Sequence, residues 1–354
     1  AIVFVGYSGW TAGQLEGDFG YPVTPGAAKV LRWRYGMASG LPSGEPLRIK
    51  LIADDRQPVD IAALTAAVDT HRLKEDLRFL TQQPRHRTAA AAHLAACRAF
   101  MTARYEALGL PFEAQAFGQG NGAGINYIGV KDGLTKEDTV LALDGHYDSV
   151  AQSRGADDNG SAVVGVLEAL RILAPYNFNK TVKFILFDLE EEGLLGSRAY
   201  VSDKIAEHEH YQGVINFEMI GYYSEAPNSQ EMPTGFNILF KEAYDDVAAQ
   251  DFKGNFITNV STTFSSDLRR AYNESAAQYA PGLRVITTEA SPEVLPVASD
   301  LMRSDHAPFW MARIPALMLS DGANFRNKAY HTANDTLERL NFAFMRQVIQ
   351  AAVG

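Results

Sequence analysis

From residue 109 onward, short apolar runs alternate with amphipathic stretches. The runs are rich in Val, Ile and Leu, which is typical of strands that are buried on both faces. Two stretches instead repeat apolar residues at every third or fourth position, which predicts helices over 161–173 and 341–353. This alternation predicts an α/β fold with a three-layer α/β/α arrangement around a mixed, mostly parallel central sheet. The predicted strands are 125–130, 139–143, 182–187, 214–217, 284–288 and 316–319.

The chain before residue 109 has a different pattern. Residues 1 to about 60 are punctuated by Gly and Pro, and only 47–52 alternates as a strand does. From Asp60 to Leu108, apolar residues recur at threes and fours on both sides of a break at Pro84, which predicts two helices that cover the sheet. We therefore expect an N-terminal extension of uncertain structure, residues 1–60, and one large domain, residues 61–354.

Within the large domain, the stretch from about 221 to 299 fits the alternation less well. It is rich in Tyr, Asn, Ser and Pro. We interpret it as an insertion that lies over the carboxyl ends of the strands, where segments of this kind commonly control access to a site.

Composition narrows the function classes. The formal net charge of the 354 residues is -10, and no block of Lys and Arg interrupts the acidic balance, so nucleic acid is not an expected partner. The one cysteine, Cys97, cannot form an internal disulfide and is interpreted as a small buried filler. The apolar start at residues 1–7 is either a first strand or the end of a signal peptide or membrane anchor.

Acidic and histidine residues follow several of the predicted strands. The strand at 139–143 leads to His146 and Asp148, and a two-residue step on extended chain puts both side chains on one face. A structural hydrogen-bonded pair and a metal ligand with its supporting carboxylate are both consistent with this spacing. The next polar cluster is the turn before the helix at 161–173. Asp158 in that turn is either a helix cap or a carboxylate that bridges two cations.

Three further positions complete the pattern. Glu190 and Glu191 follow the strand at 182–187, Glu218 follows the strand at 214–217, and His331 precedes the last helix. An acidic run is often only a solvated face, but the carboxyl ends of strands are where open α/β sheets place their sites. Carboxylates and imidazoles together form a ligand set that suits Zn²⁺ or a similar divalent ion.

With these residues in this order, the sequence resembles the co-catalytic di-zinc aminopeptidase family, whose relatives include bacterial leucyl aminopeptidases, glutamate carboxypeptidases and glutaminyl cyclases. The likeness covers about residues 70 to 350 and rests on six segments in the family order. They are Gly-His146-Tyr-Asp148-Ser, Gly-Ala-Asp-Asp158-Asn-Gly-Ser, Glu190-Glu191-x-Gly-Leu-x-Gly-Ser, Asn-Phe-Glu218-Met-Ile-Gly, Arg303-Ser-Asp-His306-Ala-Pro-Phe and Tyr330-His331-x-x-x-Asp-Thr.

The resemblance implies a zinc exopeptidase fold and a zinc-dependent aminopeptidase that hydrolyses N-terminal residues from peptides. It assigns His146 and Glu218 to one zinc and Glu191 and His331 to the other, with Asp158 as the bridge. Its remaining assignments are Glu190 as the general base, Tyr330 as the oxyanion donor, Asp148 and Asp305 as supporting carboxylates, and His306 as a residue outside the ligand set.

One position departs from the pattern, because most relatives have Asp where this chain has Glu218. Two zinc ions are expected, and a single ion is the alternative that this departure leaves open. A glutaminyl cyclase-like acyltransferase with one zinc is a rival function, although those relatives have Trp where this chain has Tyr330. A receptor-like scaffold that has lost catalysis is a third, non-enzyme reading.

A carboxypeptidase or dipeptidase of the same family is also open. Arg326 is either a carboxylate-binding residue, which would favour that function, or part of a structural salt bridge. The expected partner is a peptide substrate, and no stable protein partner is predicted. Because bacterial relatives are commonly exported, we expect a periplasmic or extracellular protein, with a membrane anchor upstream of Ala1 as a further alternative.

Overall fold

The computed structural model describes residues 59–206 and 209–354, together with four short strands from the first 58 residues. The chain divides into two units, Ala1–Asp60 and Ile61–Gly354. In the first unit, the strands pair antiparallel as two separate ribbons: Ile2–Val5 (β1) with Lys50–Ala53 (β4), and Leu15–Gly17 (β2) with Leu31–Trp33 (β3). The Gly- and Pro-rich stretches between them lie outside the described residues.

The second unit is built around one eight-stranded sheet. Its order is β11-β10-β12-β9-β7-β8-β6-β5, and the four central strands β12, β9, β7 and β8 are parallel to one another. The predicted α/β class with a mixed, mostly parallel sheet is confirmed. The strands are Phe112–Phe117 (β5), Gly124–Lys131 (β6), Lys136–His146 (β7), Lys180–Phe187 (β8), His210–Phe217 (β9), Ile257–Thr262 (β10), Val285–Ala290 (β11) and Ala316–Ser320 (β12).

Helices cover both faces of this sheet. On β8, Phe184 and Leu186 pack on the side of α2, α4 and α10, whereas Ile185 and Phe187 pack on the side of α5, α7 and α9. No helix in the described part of the chain is long and apolar enough to cross a bilayer. The helices are Ile61–Ala66 (α1), Thr70–Leu80 (α2), Ala91–Ala107 (α3), Ala162–Leu173 (α4), Leu195–Ala206 (α5), Phe236–Leu239 (α6), Lys241–Ala248 (α7), Ser266–Tyr279 (α8), His306–Met311 (α9) and Phe342–Val353 (α10).

The structure changes two sequence expectations. The region from Asp60 to Leu108 contains three helices rather than two, because α1 ends at Ala66 and Asp69 caps a new helix, α2, by accepting a hydrogen bond from the backbone N–H of His71. The stretch 221–299 is not wholly an insertion, since its strands β10 and β11 extend the sheet at one edge. Its strand β10 lacks an apolar run because polar side chains such as Asn259 find partners there, in this case Asn273.

Gly145, near the end of β7, lies very close to the start of α4. A Cβ at this position would lie 2.7 Å from Cβ of Ala162, the first residue of α4, and 3.3 Å from the carbonyl oxygen of Phe217. We predict that Gly145→Ala lowers the free energy of unfolding by about 1–3 kcal/mol, because an extra methyl group overpacks this contact.

Urea unfolding would measure the effect. Gly122→Ala is a matched control, because its nearest neighbouring atom would be 3.8 Å away. That variant is expected to stay within about 0.5 kcal/mol of the parent. Equal urea midpoints for the two variants would show that the contact at Gly145 does not constrain the fold.

Candidate metal site

The ends of three adjacent parallel strands bring the predicted ligands together. His146 is the last residue of β7, Glu218 follows directly after β9, and Glu190 and Glu191 follow β8 in the next loop. The register sets His146 beside Phe187, the last residue of β8. Since the carboxyl ends of parallel strands meet at one edge of the sheet, these side chains converge there.

Two further side chains reach the same edge from loops. Asp158 comes from the turn at Ala156–Ser161 that precedes α4, and His331 from the segment between β12 and α10. The turn begins at Gly155, whose φ is +59°, and a Cβ there would lie 2.3 Å from the carbonyl oxygen of Asp158. Glycine is therefore required for the turn that presents Asp158.

Asp158 lies between the two histidines. Its Oδ1 is 3.4 Å from Nε2 of His146, and its Oδ2 is 3.0 Å from Nε2 of His331. Glu218 Oε2 also lies 3.4 Å from Nε2 of His146, and Glu191 Oε2 lies 3.0 Å from Nε2 of His331. One carboxylate thus faces two separate histidine–glutamate pairs.

The ligand atoms fall into two groups, each with atoms within 4.8 Å of one another. One group is His146, Glu190 and Glu218, and the other is Asp158, Glu191 and His331. The structure therefore brings together all five predicted ligands. It also places Glu190, which the family resemblance assigns as a base, within ligand distance of the first group: its Oε2 is 3.8 Å from Nε2 of His146.

Several buried atoms of this cluster make no hydrogen bond within the described residues. They are both ring nitrogens of His146, Oδ2 of Asp158, Oε1 of Glu191 and Nε2 of His331. Buried polar atoms are normally hydrogen-bonded, whereas these nitrogens and carboxylate oxygens converge on one another without hydrogen bonds, which fits a site for a cation. Imidazole and carboxylate ligands at such positions fit Zn²⁺.

The pKa values of Glu191 and His331 are both raised, and the causes show that the cluster favours positive charge. Burial raises the pKa of Glu191 to about 7, with a further contribution from Asp158, while His331 opposes the shift. Burial alone would lower the pKa of His331, but the carboxylates of Asp158 and Glu191 outweigh it and raise that pKa to about 10. The carboxylates therefore stabilise a positive charge at the position between them.

Asp148 holds the loop that carries the two glutamates. Its Oδ1 accepts a hydrogen bond from the backbone N–H of Glu190 at 3.1 Å, and its Oδ2 accepts from the N–H of Glu191 at 3.2 Å. Asp148 Oδ1 also lies 3.4 Å from Nδ1 of His146. The same carboxylate therefore orients one histidine and two glutamates, which is the arrangement typical of supporting residues around metal ligands.

Glu218 is anchored by two residues that the sequence did not single out. Its Oε2 accepts hydrogen bonds from Ser304 Oγ at 2.8 Å and from Asn159 Nδ2 at 3.2 Å. Asn159 also accepts a hydrogen bond from the backbone N–H of Met219. Its place next to Asp158 is a signal that could have identified it, whereas Ser304 offers only its position beside Asp305.

Tyr330 stacks on His331, with ring centroids 3.9 Å apart. Its hydroxyl oxygen accepts a hydrogen bond from Nη2 of Arg303 at 3.3 Å. Burial raises the pKa of Tyr330 above its usual value, so the phenol keeps its proton. His306 lies outside the ligand set, as expected, because its Nε2 contacts the carbonyl oxygen of Leu301 at 2.7 Å and its ring packs on Trp310.

Arg326 is part of the interior rather than of the site. Only 2% of its surface is exposed, and its guanidinium donates hydrogen bonds to Gln230 Oε1 and to the carbonyl oxygens of Tyr222 and Phe256. Its interior position agrees with a structural role, but these hydrogen-bond partners are neutral groups rather than the salt bridge that the sequence leaves open.

A cavity of about 90 Å³ opens beside the cluster, next to Glu218 and Tyr330. Its walls include apolar side chains from the stretch 221–299. They are Met232, Pro233, Phe236, Phe256, Val260 and Ile286.

Comparison with known proteins agrees with this geometry. Residues 126–353 match the sequence pattern of peptidase family M28. The chain belongs to peptidase family M28. The family resemblance inferred from the six sequence segments is thereby confirmed.

Proteins with similar sequences differ in how much of their length they share with this chain. The uncharacterized protein YfbL of Escherichia coli is 29% identical over 60% of this chain and 65% of its own length. Leupeptin-inactivating enzyme 1 of Streptomyces exfoliatus is 28% identical over 68% of this chain and 50% of its own length. The chain thus spans between half and two thirds of these two relatives.

Solved structures share the M28 fold at low sequence identity. The LapA aminopeptidase of Legionella pneumophila has a TM-score of 0.62 at 19% identity, with 83% of this chain and 72% of that one covered. A glutaminyl cyclase of Bacteroides thetaiotaomicron has a TM-score of 0.58 at 15% identity, with coverage of 81% and 96%. These similarities show a common fold.

Asp335, in the segment that begins Tyr330-His331, holds the turn that carries Asp158. Its carboxylate accepts hydrogen bonds from the backbone N–H of Asp157 at 2.9 Å and of Asp158 at 3.1 Å. We predict that Asp335→Asn weakens zinc binding about 10- to 100-fold, because loss of a group that orients a ligand commonly has this effect. Competition with a chromophoric chelator would measure the affinity.

Asp138→Asn, an exposed position on β7, is the control for the same chemical change and should leave zinc affinity unaltered. If Asp335→Asn binds zinc as tightly as the control does, the hydrogen bonds to the Asp158 turn do not support the site.

Proposed function

We propose that this chain is a zinc-dependent aminopeptidase that hydrolyses N-terminal residues from peptides. The observation that carries the proposal is the position of Asp158, whose two oxygens face two separate histidine–glutamate pairs. Membership of family M28 supports it, as does the 41% identity over 99 residues to the aminopeptidase YwaD of Bacillus subtilis, a match that covers 27% of this chain and 22% of that protein.

Two zinc ions are the content that this arrangement favours. His146 and Glu218 would hold one, Glu191 and His331 the other, and Asp158 would contribute an oxygen to each. Bound zinc would polarise the scissile carbonyl and lower the pKa of the attacking water. A measured content of one zinc per chain would favour the single-ion alternative.

We assign the proton transfer to Glu190. Its backbone is held by Asp148, and its carboxylate lies beside His146. Burial raises the pKa of Glu190 well above its ordinary value, with His146 opposing the shift. Such a carboxylate can accept a proton from water and return it to the departing amine.

We assign to Tyr330 the stabilisation of the oxyanion that develops on the substrate carbonyl. Arg303 donates to the phenol oxygen, and an arginine has no acceptor, so the phenol proton stays free to point elsewhere. A donor that is aimed where negative charge develops lowers the barrier of acyl transfer.

The surroundings favour the N-terminal end of a peptide. The acid-rich cluster can receive a free α-ammonium group, and the apolar cavity beside Glu218 can receive the first side chain. Arg326, which would favour a C-terminal carboxylate if it faced the site, is instead bonded inside the fold.

Substrate assays would separate the alternatives. Phenylalanine p-nitroanilide should be hydrolysed in a zinc-dependent manner, and its N-acetylated form should not, because the free amine is part of what the site binds. Cyclisation of an N-terminal Gln peptide without hydrolysis of either anilide would instead indicate a glutaminyl cyclase. Hydrolysis of the acetylated compound at an equal rate would contradict aminopeptidase specificity.

Replacement of the proposed base tests the mechanism. We predict that Glu190→Gln retains zinc but lowers kcat about 10²- to 10⁴-fold, the usual range for loss of a general base. Glu192→Gln is the matched control two residues away, since Glu192 is exposed and pairs with Arg87 at 3.3 Å. Parent-like turnover by Glu190→Gln, with its zinc content intact, would refute the role of Glu190.

A further inference from the structure

One wall of the apolar cavity is the face of the sheet that β11, β10 and β12 form. Thr258 on β10 pairs with Ile286 on one side and with Ser320 on the other. Val260, two residues further, pairs with Thr288 and Met318. Because alternate residues of a strand share a face, these six side chains form two parallel rows, and all six line the cavity.

The first row leads directly to the metal site. Leu319 pairs with Phe217 in parallel register, so the next residues, Ser320 and Glu218, lie side by side on the same face. Neighbouring strands are about 4.8 Å apart, which places Thr258 about 10 Å across the sheet from Glu218. The row therefore runs from a proposed zinc ligand into the depth of the cavity.

Thr258 places an available hydroxyl in this row. Its side chain is partly exposed, and within the described residues its hydroxyl has no hydrogen-bond partner. Most of the wall around it is apolar, with Phe236 and Phe256 among its residues. A polar group in the wall of an apolar cavity commonly fixes which ligand is accepted.

The charges of the cavity lie elsewhere. Apart from Glu218, the charged residues that line it in the described chain are Asp300 and Arg303. These two pair with each other at 3.4 Å, and each side chain is 41% exposed, which places them towards solvent. The region around Thr258 therefore suits a neutral group.

We propose that Thr258 selects an N-terminal residue with a large apolar side chain and a neutral hydrogen-bonding end, so that tyrosine is preferred to phenylalanine. The inference rests on the proposed aminopeptidase function. The aromatic ring fills the apolar part of the cavity, and the phenol reaches the hydroxyl of Thr258. A site that bonds to a substrate hydroxyl discriminates against the analogue that lacks it.

The test compares the p-nitroanilides of tyrosine and phenylalanine on the zinc-loaded chain. One hydrogen bond predicts a kcat/KM about tenfold higher for tyrosine. Thr258→Val keeps the shape and removes the hydroxyl, and it should bring the tyrosine-to-phenylalanine ratio to about one. Thr258→Ser, which restores a hydroxyl, should recover most of the preference.

Thr65→Val is the matched control, because Thr65 is a buried residue of α1 whose hydroxyl bonds to the carbonyl oxygen of Ala62, and it does not line the cavity. Its ratio should equal that of the parent. Circular dichroism would show which variants fold, and if Thr258→Val does not, the parent and Thr258→Ser ratios decide.

Two results would overturn the selection by Thr258. One is a parent ratio of one or below, and the other is a ratio that folded Thr258→Val leaves unchanged. In both cases, hydrolysis of phenylalanine p-nitroanilide would still support the aminopeptidase function. Absence of hydrolysis of both anilides by the zinc-loaded chain would contradict that function and, with it, the selectivity that depends on it.

Discussion

The position of the Asp158 carboxylate is the constraint on which the rest of the site depends. It can face His146 and His331 at once only because the turn at Ala156–Ser161 is held from behind by Asp335 and begins with a glycine in the left-handed region. The turn is thus fixed through its backbone, so neither carboxylate oxygen of Asp158 is needed to hold it. A carboxylate held in this way is preorganised to offer one oxygen to each of two cation positions.

The sheet provides the complementary constraint. His146 and Glu218 end adjacent parallel strands, so their separation is set by strand spacing and register rather than by loop conformation. Burial then makes the collected negative charge costly, and the raised pKa of Glu191 expresses that cost. The fold and the electrostatics thus favour the same outcome, a cation between the acids and the histidines.

Much of this arrangement could be predicted from sequence because each ligand follows a buried strand or precedes a helix. The five ligands and the strand pattern of the core are local features of that kind. Strand β10 could not be predicted, since Thr258 and Asn259 interrupt its apolar pattern and have their roles in tertiary structure. Ser304 was missed for the same reason, because its bond to Glu218 joins residues 86 positions apart. Cellular location stays a prediction.

Glu218 is the position at which the sequence resemblance predicts a departure from the family pattern, and neighbouring residues of this chain hold its side chain. A glutamate is one methylene longer than an aspartate and has more rotamers, so an unsupported side chain would lose more entropy on binding a metal. Here Ser304 and Asn159 both donate to Oε2, which restricts the carboxylate before any ion arrives. The strand register places Ser320 beside Glu218 and Thr258 one strand further, so the carboxylate that Ser304 and Asn159 restrict also borders the apolar cavity.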